Sequence, residues 1–265
     1  MKKKRVDELL FEQQLIETKE EAQSHILAGN VFTTKEMRIL TAGEKLPADT
    51  TLYIKGREKK YVSRGGFKLQ KAIDHFSINL KNKVVLDIGA STGGFTDVSL
   101  QNGAELVYAL DVGTNQLAWE LRSHEQVVVM EQTNFRYSTL EDFTSGQPEF
   151  ATIDVSFISL KLILPPLHAI LKDKGEVVAL IKPQFEAAKD DVGEGGIIKD
   201  PNVYQEVLEE ILSFARKQSF AIKDLTISPI TGSKGNTEFL VYLSKNEEQI
   251  EDIEKRIEEV MKNFQ

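Results

Sequence analysis

The sequence predicts an α/β protein in which a mostly parallel, seven-stranded sheet is covered by helices and preceded by a small α+β domain. Two observations carry this. From residue 66 onward, short apolar runs of strand composition alternate with helical stretches, the pattern of parallel strands buried on both faces. Residues 1–54 lack that rhythm and hold two helical stretches followed by brief extended pieces, in a length near the lower limit for independent folding. The basic, polar segment KGREKKYV, residues 55–62, reads as a linker, which leaves residues 63–265 as the main domain.

In the front domain, Leu9, Leu10 and Leu15 mark a helical face over 7–15. Ala22, Ile26 and Leu27 mark another over 19–28, which Gly29 and Asn30 stop. Residues 31–32, 38–40 and 52–54 read as short strands between turn signals at 42–43 and 47–49. In the main domain the expected strands are 84–88, 106–111, 127–131, 150–154, 177–182, 221–228 and 238–244. The helices between them fall near 67–76, 94–102, 115–123, 158–171 and 203–217. A last helix over 247–264 has Ile250, Ile253, Ile257, Val260, Met261 and Phe264 on one face and acids on the other, which reads as a solvated helix back.

Composition excludes several classes. With 265 residues, 41% of them apolar and 28% charged, the chain is globular. Without cysteine there is no disulfide, zinc–thiolate site, iron–sulfur ligation or thiol nucleophile, which fits a reducing compartment. Four scattered histidines suggest no metal site. The start MKKKRVDELLFEQQ turns acidic at once and lacks the apolar run of a signal peptide, and no stretch approaches a spanning helix; the expected location is the cytoplasm. The net charge of −8 is unevenly placed. Residues 1–68 carry 14 Lys and Arg against 10 Asp and Glu, and the remainder 19 against 31. A basic front on an acidic body is either a polyanion-facing module or ordinary solvation of a small domain, and charge alone does not separate the two.

The first strand of the main domain leads into VVLDIGASTGGFTD, residues 84–97. A strand ending in an acid and followed by glycines and a helix lets backbone approach a nucleotide closely. A phosphate-binding P-loop would end in Gly-Lys-Ser or Gly-Lys-Thr, whereas Gly94 is followed by Phe95. The spacing Gly89-x-x-x-Gly93-Gly94 also fits a dinucleotide fingerprint poorly. The Asp87-x-Gly89 arrangement instead resembles the first motif of class I S-adenosylmethionine-dependent methyltransferases. That implies cofactor contacts at Asp87, Gly89, Ala90, Ser91, Gly93, Gly94 and Phe95. Asp111 at the second strand tip, with Val112 beside it, is placed to accept both ribose hydroxyls of an adenosine, and Asn134 after the third strand to bond an adenine edge. Either of the last two contacts has a plain alternative as a strand-end turn residue.

Four further segments, YVSRGGFKLQK, FATIDVSFISL, ALIKPQFE and GSKGNTEFLVYL, resemble the catalytic motifs of the FtsJ-like ribose 2′-O-methyltransferases. The resemblance implies a Rossmann-like class I methyltransferase domain with a Lys-Asp-Lys-Glu tetrad at Lys68, Asp154, Lys182 and Glu238, Asp154 also lying near the transferred methyl. Strand-tip positions beside the glycine loop agree with it, because ligands bind at the carboxyl ends of open parallel sheets. A ribose hydroxyl is a weak nucleophile, so the transfer requires orientation and proton removal. A lysine acts as base only if its pKa falls from about 10.4; a neighbouring ammonium, burial and a sulfonium favour that, and carboxylates oppose it. Lys182 is the expected proton acceptor, with Lys68 orienting the ribose. Without the family pattern, the same four residues read equally well as a structural ion-pair set.

The segment RVDELLFEQQLIETKEEAQSHILAGNV resembles the small S-four RNA-binding domain, and the two domains in this order resemble the TlyA family, labelled both as haemolysins and as ribosomal RNA methyltransferases. The resemblance implies RNA contacts at Lys4, Arg5, Lys19, His25 and Asn30, with Arg57, Lys59, Lys60 and Arg64 extending the positive track toward Lys68. Thr18-Lys19 stands where the family motif has Ser-Arg. The implied reaction is S-adenosylmethionine-dependent 2′-O-methylation of a cytidine in ribosomal RNA, with ribosomal subunits as partners and no obligate protein partner. The polar, glycine-rich segment KDDVGEGGIIKDP, residues 189–201, is expected to be a mobile lid. Two other functions stay open: a haemolysin acting on membranes, which the acidic last helix disfavours, and a non-catalytic RNA-binding assembly factor, which the intact tetrad disfavours.

Overall fold

The computed structural model describes residues 3–13, 15–16, 18–34, 36–56, 60–232, 235–247 and 252–262. The chain divides into two units, Met1–Lys60 and Tyr61–Gln265. In the first, strand β1 (Lys3–Arg5) runs into helix α1 (Val6–Glu12), then α2 (Lys19–Leu27), β2 (Val31–Thr33), β3 (Lys45–Pro47) and β4 (Leu52–Ile54). The strands pair antiparallel, β1 with β3 and β2 with β4. Leu9 and Leu10 of α1, Ala22 and Ile26 of α2, and Val31, Leu52 and Ile54 of the strands form the core. Each such side chain, when fully buried, contributes about 1.5–3 kcal/mol. The Thr18 hydroxyl caps α2 by accepting from the Glu21 amide at 3.1 Å. Beyond its end Gly29 takes φ +69, with the Arg38 guanidinium lying where a Cβ would stand.

This unit departs from the sequence expectation in three places. Residues 38–40 form no strand, only a single bridge from Arg38 to Phe32. Strands β1 and β3 were not expected, because each is three residues long, β1 being wholly basic (Lys-Lys-Arg) and β3 ending in proline (Lys-Leu-Pro). The first helix stops at Glu12.

The second unit begins with α3 (Gly65–Phe76) and continues through β5 (Val84–Ile88), α4 (Gly94–Gln101), β6 (Leu106–Leu110), α5 (Trp119–Arg122), β7 (Val127–Met130) and β8 (Phe150–Ile153). It ends with α6 (Leu164–Ile170), β9 (Glu176–Ile181), α7 (Pro183–Glu186), α8 (Pro201–Lys217), β10 (Phe220–Ile227), β11 (Phe239–Lys245) and α9 (Ile253–Lys262). The seven strands form one sheet in the order β10-β11-β9-β8-β5-β6-β7. Five are parallel, while β11 is antiparallel to both its neighbours. This is the Rossmann-like, mostly parallel seven-stranded sheet expected from the sequence. The chain moves outward from β5 in one direction and from β8 in the other, so the topological switch lies between these two strands, and the crevice for a ligand is at their carboxyl ends.

Both faces of the sheet are covered. Leu69, Ala72 and Ile73 of α3, with Phe95 and Val98 of α4, pack on one side against Val85 and Val107. Leu164 and Leu167 of α6 and Leu208 and Ile211 of α8 pack on the other against Leu86 and Ile153. Ile257 and Val260 of α9 join that second core; Ile250 and Phe264 of its expected apolar face lie outside the described residues.

Two expected helices are shorter here. The stretch 115–123 is helical only over Trp119–Arg122, and 158–171 breaks into a 3-10 turn at Leu160–Leu162 and α6. Proline in the first turn of α6 has no amide to donate to the preceding turn, so the helix restarts there. The segment expected to be a lid makes specific contacts in this structure. Buried Asn236 donates to the Gly196 carbonyl at 2.7 Å and accepts from the Ile198 amide at 3.0 Å, and Ile198 is buried with it. No helix among the described residues is long and apolar enough to cross a membrane.

Candidate active site

The glycines at the end of β5 bring three elements together. Gly89 adopts φ +87, and a Cβ there would stand 2.6 Å from the Asp154 carbonyl at the end of β8. Gly94 opens α4, and a Cβ on it would stand 2.3 Å from Ser63 Oγ and 2.8 Å from the Gly66 amide. The start of α3 therefore lies directly on the glycine loop. The Val62 amide secures it by donating to Asp97 Oδ2 of α4 at 2.8 Å. That placement carries Lys68, one turn into α3, to the carboxyl ends of the central strands.

A cleft of about 340 Å³ opens at that point. Its walls include Gly89, Ala90, Ser91, Gly94 and Phe95 of the glycine loop, Arg64 before α3, and Lys68, Asp154, Lys182 and Glu238. The four tetrad candidates form an alternating chain of charge. Lys182 Nζ lies 2.5 Å from Asp154 Oδ1, Lys68 Nζ 3.7 Å from Asp154 Oδ2, and Lys68 Nζ donates to Glu238 Oε2 at 2.6 Å. Lys68, Lys182 and Glu238 are 8%, 7% and 3% exposed. Charges so deeply buried persist only when paired, and here two ammonium groups meet two carboxylates.

Several wall residues were not singled out from the sequence, among them Ser156, Phe157, Gln184 and Phe185. Ser156 accepts from Lys182 Nζ at 3.0 Å, and Gln184 donates to Glu238 Oε1 at 3.3 Å. Phe157 is 91% exposed with φ +63, and its ring lies 4.9 Å from that of Phe185. A bulky side chain in the left-handed region costs on the order of 1–3 kcal/mol. The motif FATIDVSFISL contained both Ser156 and Phe157, but nothing in it signalled the left-handed backbone.

The remaining cofactor candidates lie away from the cleft walls. Asp87 is fully buried, with its oxygens accepting from Thr96 Oγ1 at 2.7 Å and Thr152 Oγ1 at 2.9 Å. It ties α4 to β8 from beneath the glycine loop. Burial pushes its carboxyl up to about 7; the two threonines oppose the shift, and Asp154 adds to it. Gly93, at φ +98, packs beneath Leu121 and Leu117. Asp111 accepts from the Ser91 amide at 2.8 Å and the Gly113 amide at 2.7 Å, and so joins the glycine loop to the turn after β6; Val112 beside it is exposed. Asn134 caps a 3-10 turn by accepting from the Arg136 amide at 3.2 Å. Glu131, which sequence reasoning passed over, organises the same region. It accepts from Arg122 Nη2 at 2.6 Å and from the Asn115 and Gln116 amides at 2.9 and 3.0 Å. Arg122, then these amides, hold its carboxyl down to about 2.

Of the expected RNA contacts, Arg64 lines the cleft. Lys4 pairs with Glu12 at 2.6 Å, and Arg5 donates to both oxygens of Asp7 at 2.9 and 2.6 Å, so both cations have partners within the first unit. Lys19 and Lys60 are exposed, His25 lies 3.8 Å from Glu21, and Asn30 is half-buried with its carbonyl accepting from the Lys55 amide. Arg57 and Lys59 lie outside the described residues. Among the described residues no three His, Asp or Glu gather in a way that could hold a metal ion.

Known proteins share this arrangement of motifs. The model of the FtsJ-like methyltransferase family matches residues 61–245. A Bacillus subtilis protein, YqxC, provisionally named an rRNA methyltransferase, is 53% identical over 261 residues, covering 98% of this chain and 92% of that protein. The 16S/23S rRNA (cytidine-2'-O)-methyltransferase TlyA of Mycobacterium tuberculosis is 36% identical over 90% of this chain and 89% of its own. A solved structure from Streptococcus thermophilus, provisionally titled a hemolysin, superposes with a TM-score of 0.78 at 50% identity, over 99% of this chain and 96% of that one. The chain belongs to the FtsJ-like methyltransferase family.

Proposed function

We propose that the protein transfers the methyl group of S-adenosylmethionine to the 2′-hydroxyl of a cytidine in ribosomal RNA. The observation that carries this is the convergence of Lys68, Asp154, Lys182 and Glu238, drawn from 170 residues of chain, on one cleft beside the glycine loop. The cofactor suits the residues present. Gly89 and Gly94 leave backbone, not side chain, along the cleft wall, and the Asp111 carboxylate at the tip of β6 has lone pairs left for ribose hydroxyls. The glycine loop would hold the amino-acid part, Asp111 the ribose and Asn134 the adenine edge. When bound, the cofactor supplies a methyl group on a sulfonium, an electrophile that needs no metal.

The chain's own residues handle the nucleophile. Lys182 Nζ, aimed by Asp154 and Ser156, acts in its neutral amine form: its lone pair accepts the proton of the 2′-hydroxyl as the oxygen bonds to the methyl, and the ammonium so formed pairs with Asp154. Lys68, held between Asp154 and Glu238, orients the ribose from the other side. Arg64 takes an adjacent phosphate at the mouth of the cleft. The first unit acts as an S-four-like RNA-binding domain through exposed cations such as Lys19, since one nucleotide offers too little surface for selective binding. Ribosomal subunits in the cytoplasm are the expected partners, with neither a membrane nor an obligate protein partner involved.

Methyl incorporation from labelled S-adenosylmethionine into naked ribosomal RNA, separated subunits and whole ribosomes tests the proposal. Label in at least one RNA substrate is expected. Tight RNA binding with no label would point to an assembly factor, and leakage of liposomes without label to a haemolysin.

A further inference from the structure

Besides the Lys182–Asp154 pair, helix α7 with its cap residue Lys182 and the loop after β8 are joined at three points, and only two of these lie in the cleft. Ser156 accepts from Lys182 Nζ, and Phe157 meets the ring of Phe185. The third point is Glu186, the last residue of α7 and four positions past Lys182. Its Oε2 accepts from Ser159 Oγ at 2.5 Å and its Oε1 from the Leu160 amide at 2.8 Å. Ser159 in turn caps the following 3-10 turn by accepting from the Lys161 amide at 3.1 Å. At the other end of the loop, the Asp154 amide donates to the Ile88 carbonyl at 3.0 Å. The segment 155–158 thus runs between β8 and the Glu186 carboxylate, with Val155 and Ile158 packed on the core between them. Within it, Phe157 keeps a left-handed backbone that a bulky residue adopts only where its surroundings enforce it.

We infer that Glu186 is a positioning residue for the transfer: by clamping Ser159 and Leu160 to α7 it sets Ser156 against Lys182 and keeps the turn at Phe157. Its carboxylate touches neither the tetrad nor the glycine loop, so it acts through Ser156 and Lys182. The inference rests on the methyltransferase function proposed above. It adds a residue whose loss disturbs the proton acceptor while leaving the cofactor wall intact.

The test uses the full-length chain with Glu186→Ala and Glu186→Gln. Four quantities are measured: kcat and KM for RNA, affinity for S-adenosylhomocysteine by calorimetry, the unfolding midpoint, and hydrogen exchange at the amides of residues 156–160. In Glu186→Ala, kcat is expected to fall about 100-fold, since a small misplacement of a reacting group has effects of that size. Cofactor affinity should stay within about twofold, and exchange at residues 156–160 should rise about tenfold or more. Glu186→Gln should recover most of kcat and protection, because an amide can accept from Leu160 and donate to Ser159 Oγ. Unchanged exchange in Glu186→Ala would overturn the clamp. Unchanged kcat despite a loosened loop would overturn its role in transfer. Parallel loss of stability, cofactor affinity and turnover in both variants would reduce Glu186 to a structural support and overturn it too. If the wild-type chain methylates no RNA, the functional proposal fails separately, and the exchange data alone decide whether Glu186 holds the loop.

Discussion

The two sides of the cleft are made of different materials. On the glycine-loop side, Gly89, Ser91 and Gly94 present backbone, and the acids nearby, Asp111 and Glu131, accept from backbone amides at the ends of β6 and β7. On the opposite side, Lys68, Asp154, Lys182 and Glu238 present buried side-chain charge, each fixed mainly by the others. The first side depends on the absence of atoms and is unforgiving of added bulk. The second depends on mutual compensation and is unforgiving of removal. A site that must hold one molecule and deprotonate another has reason to separate these two duties.

The largest effects should come from breaking each side in its own way. Lys182→Ala should lower methyl transfer by about 10³-fold while leaving S-adenosylhomocysteine affinity nearly unchanged, as calorimetry and turnover on the same preparation would establish. Gly89→Val should do the converse. Its Cβ would meet the Asp154 carbonyl at 2.6 Å on a backbone at φ +87, so cofactor binding should be lost, along with about 2–4 kcal/mol of stability in urea unfolding.

A subtler contrast lies in how the acids beneath the two sides respond to pH. Asp87 titrates near 7 in the folded protein and near 3.8 when unfolded, so between those values the folded state binds more protons. Stability from this group is fully present below about pH 4 and falls as pH rises toward 7, with a slope of at most about 1.4 kcal/mol per unit. Asp87→Asn should flatten that slope in urea unfolding curves taken from pH 4.5 to 7.5. Glu131 works in the opposite direction: held near 2, it stabilises above its unfolded value of 4.5 and loses that contribution as the medium is acidified. Glu131→Gln should therefore matter at neutral pH and much less at pH 3.

The smallest effects should appear in the first unit. Lys19→Ala should weaken RNA binding by about threefold and reduce the salt dependence by close to one counterion. Lys4→Ala should do less, since Glu12 already neutralises that ammonium. Fluorescence anisotropy with a ribosomal RNA fragment at several salt concentrations would separate the two.

The legibility of the sequence followed the same division. The strands around the switch point stood out because β5, β6, β8 and β9 are mostly apolar, with Asp87, Thr152 and Glu176 the exceptions, and the glycine loop is contiguous in the chain. Strands β1 and β3 escaped notice because three residues, Lys-Lys-Arg in one and Lys-Leu-Pro in the other, carry no hydrophobic period. The tetrad was readable only through a resemblance to a family, since no local pattern relates Lys68 to Glu238, 170 positions away. Asp87 was read as a ligand contact because a strand-end acid before glycines fits that role; its two buried threonine partners were invisible in one dimension. Glu131, Ser156 and Glu186 were missed for a related reason: their partners are backbone amides, a lysine or a serine brought near only by folding.

The most direct test is nucleoside mass spectrometry of ribosomal RNA incubated with S-adenosylmethionine and either the wild-type chain or Lys182→Ala. The account predicts 2′-O-methylcytidine formed by the wild type and absent with the variant. Methyl groups found on bases rather than ribose, or equal yields from both proteins, would contradict it.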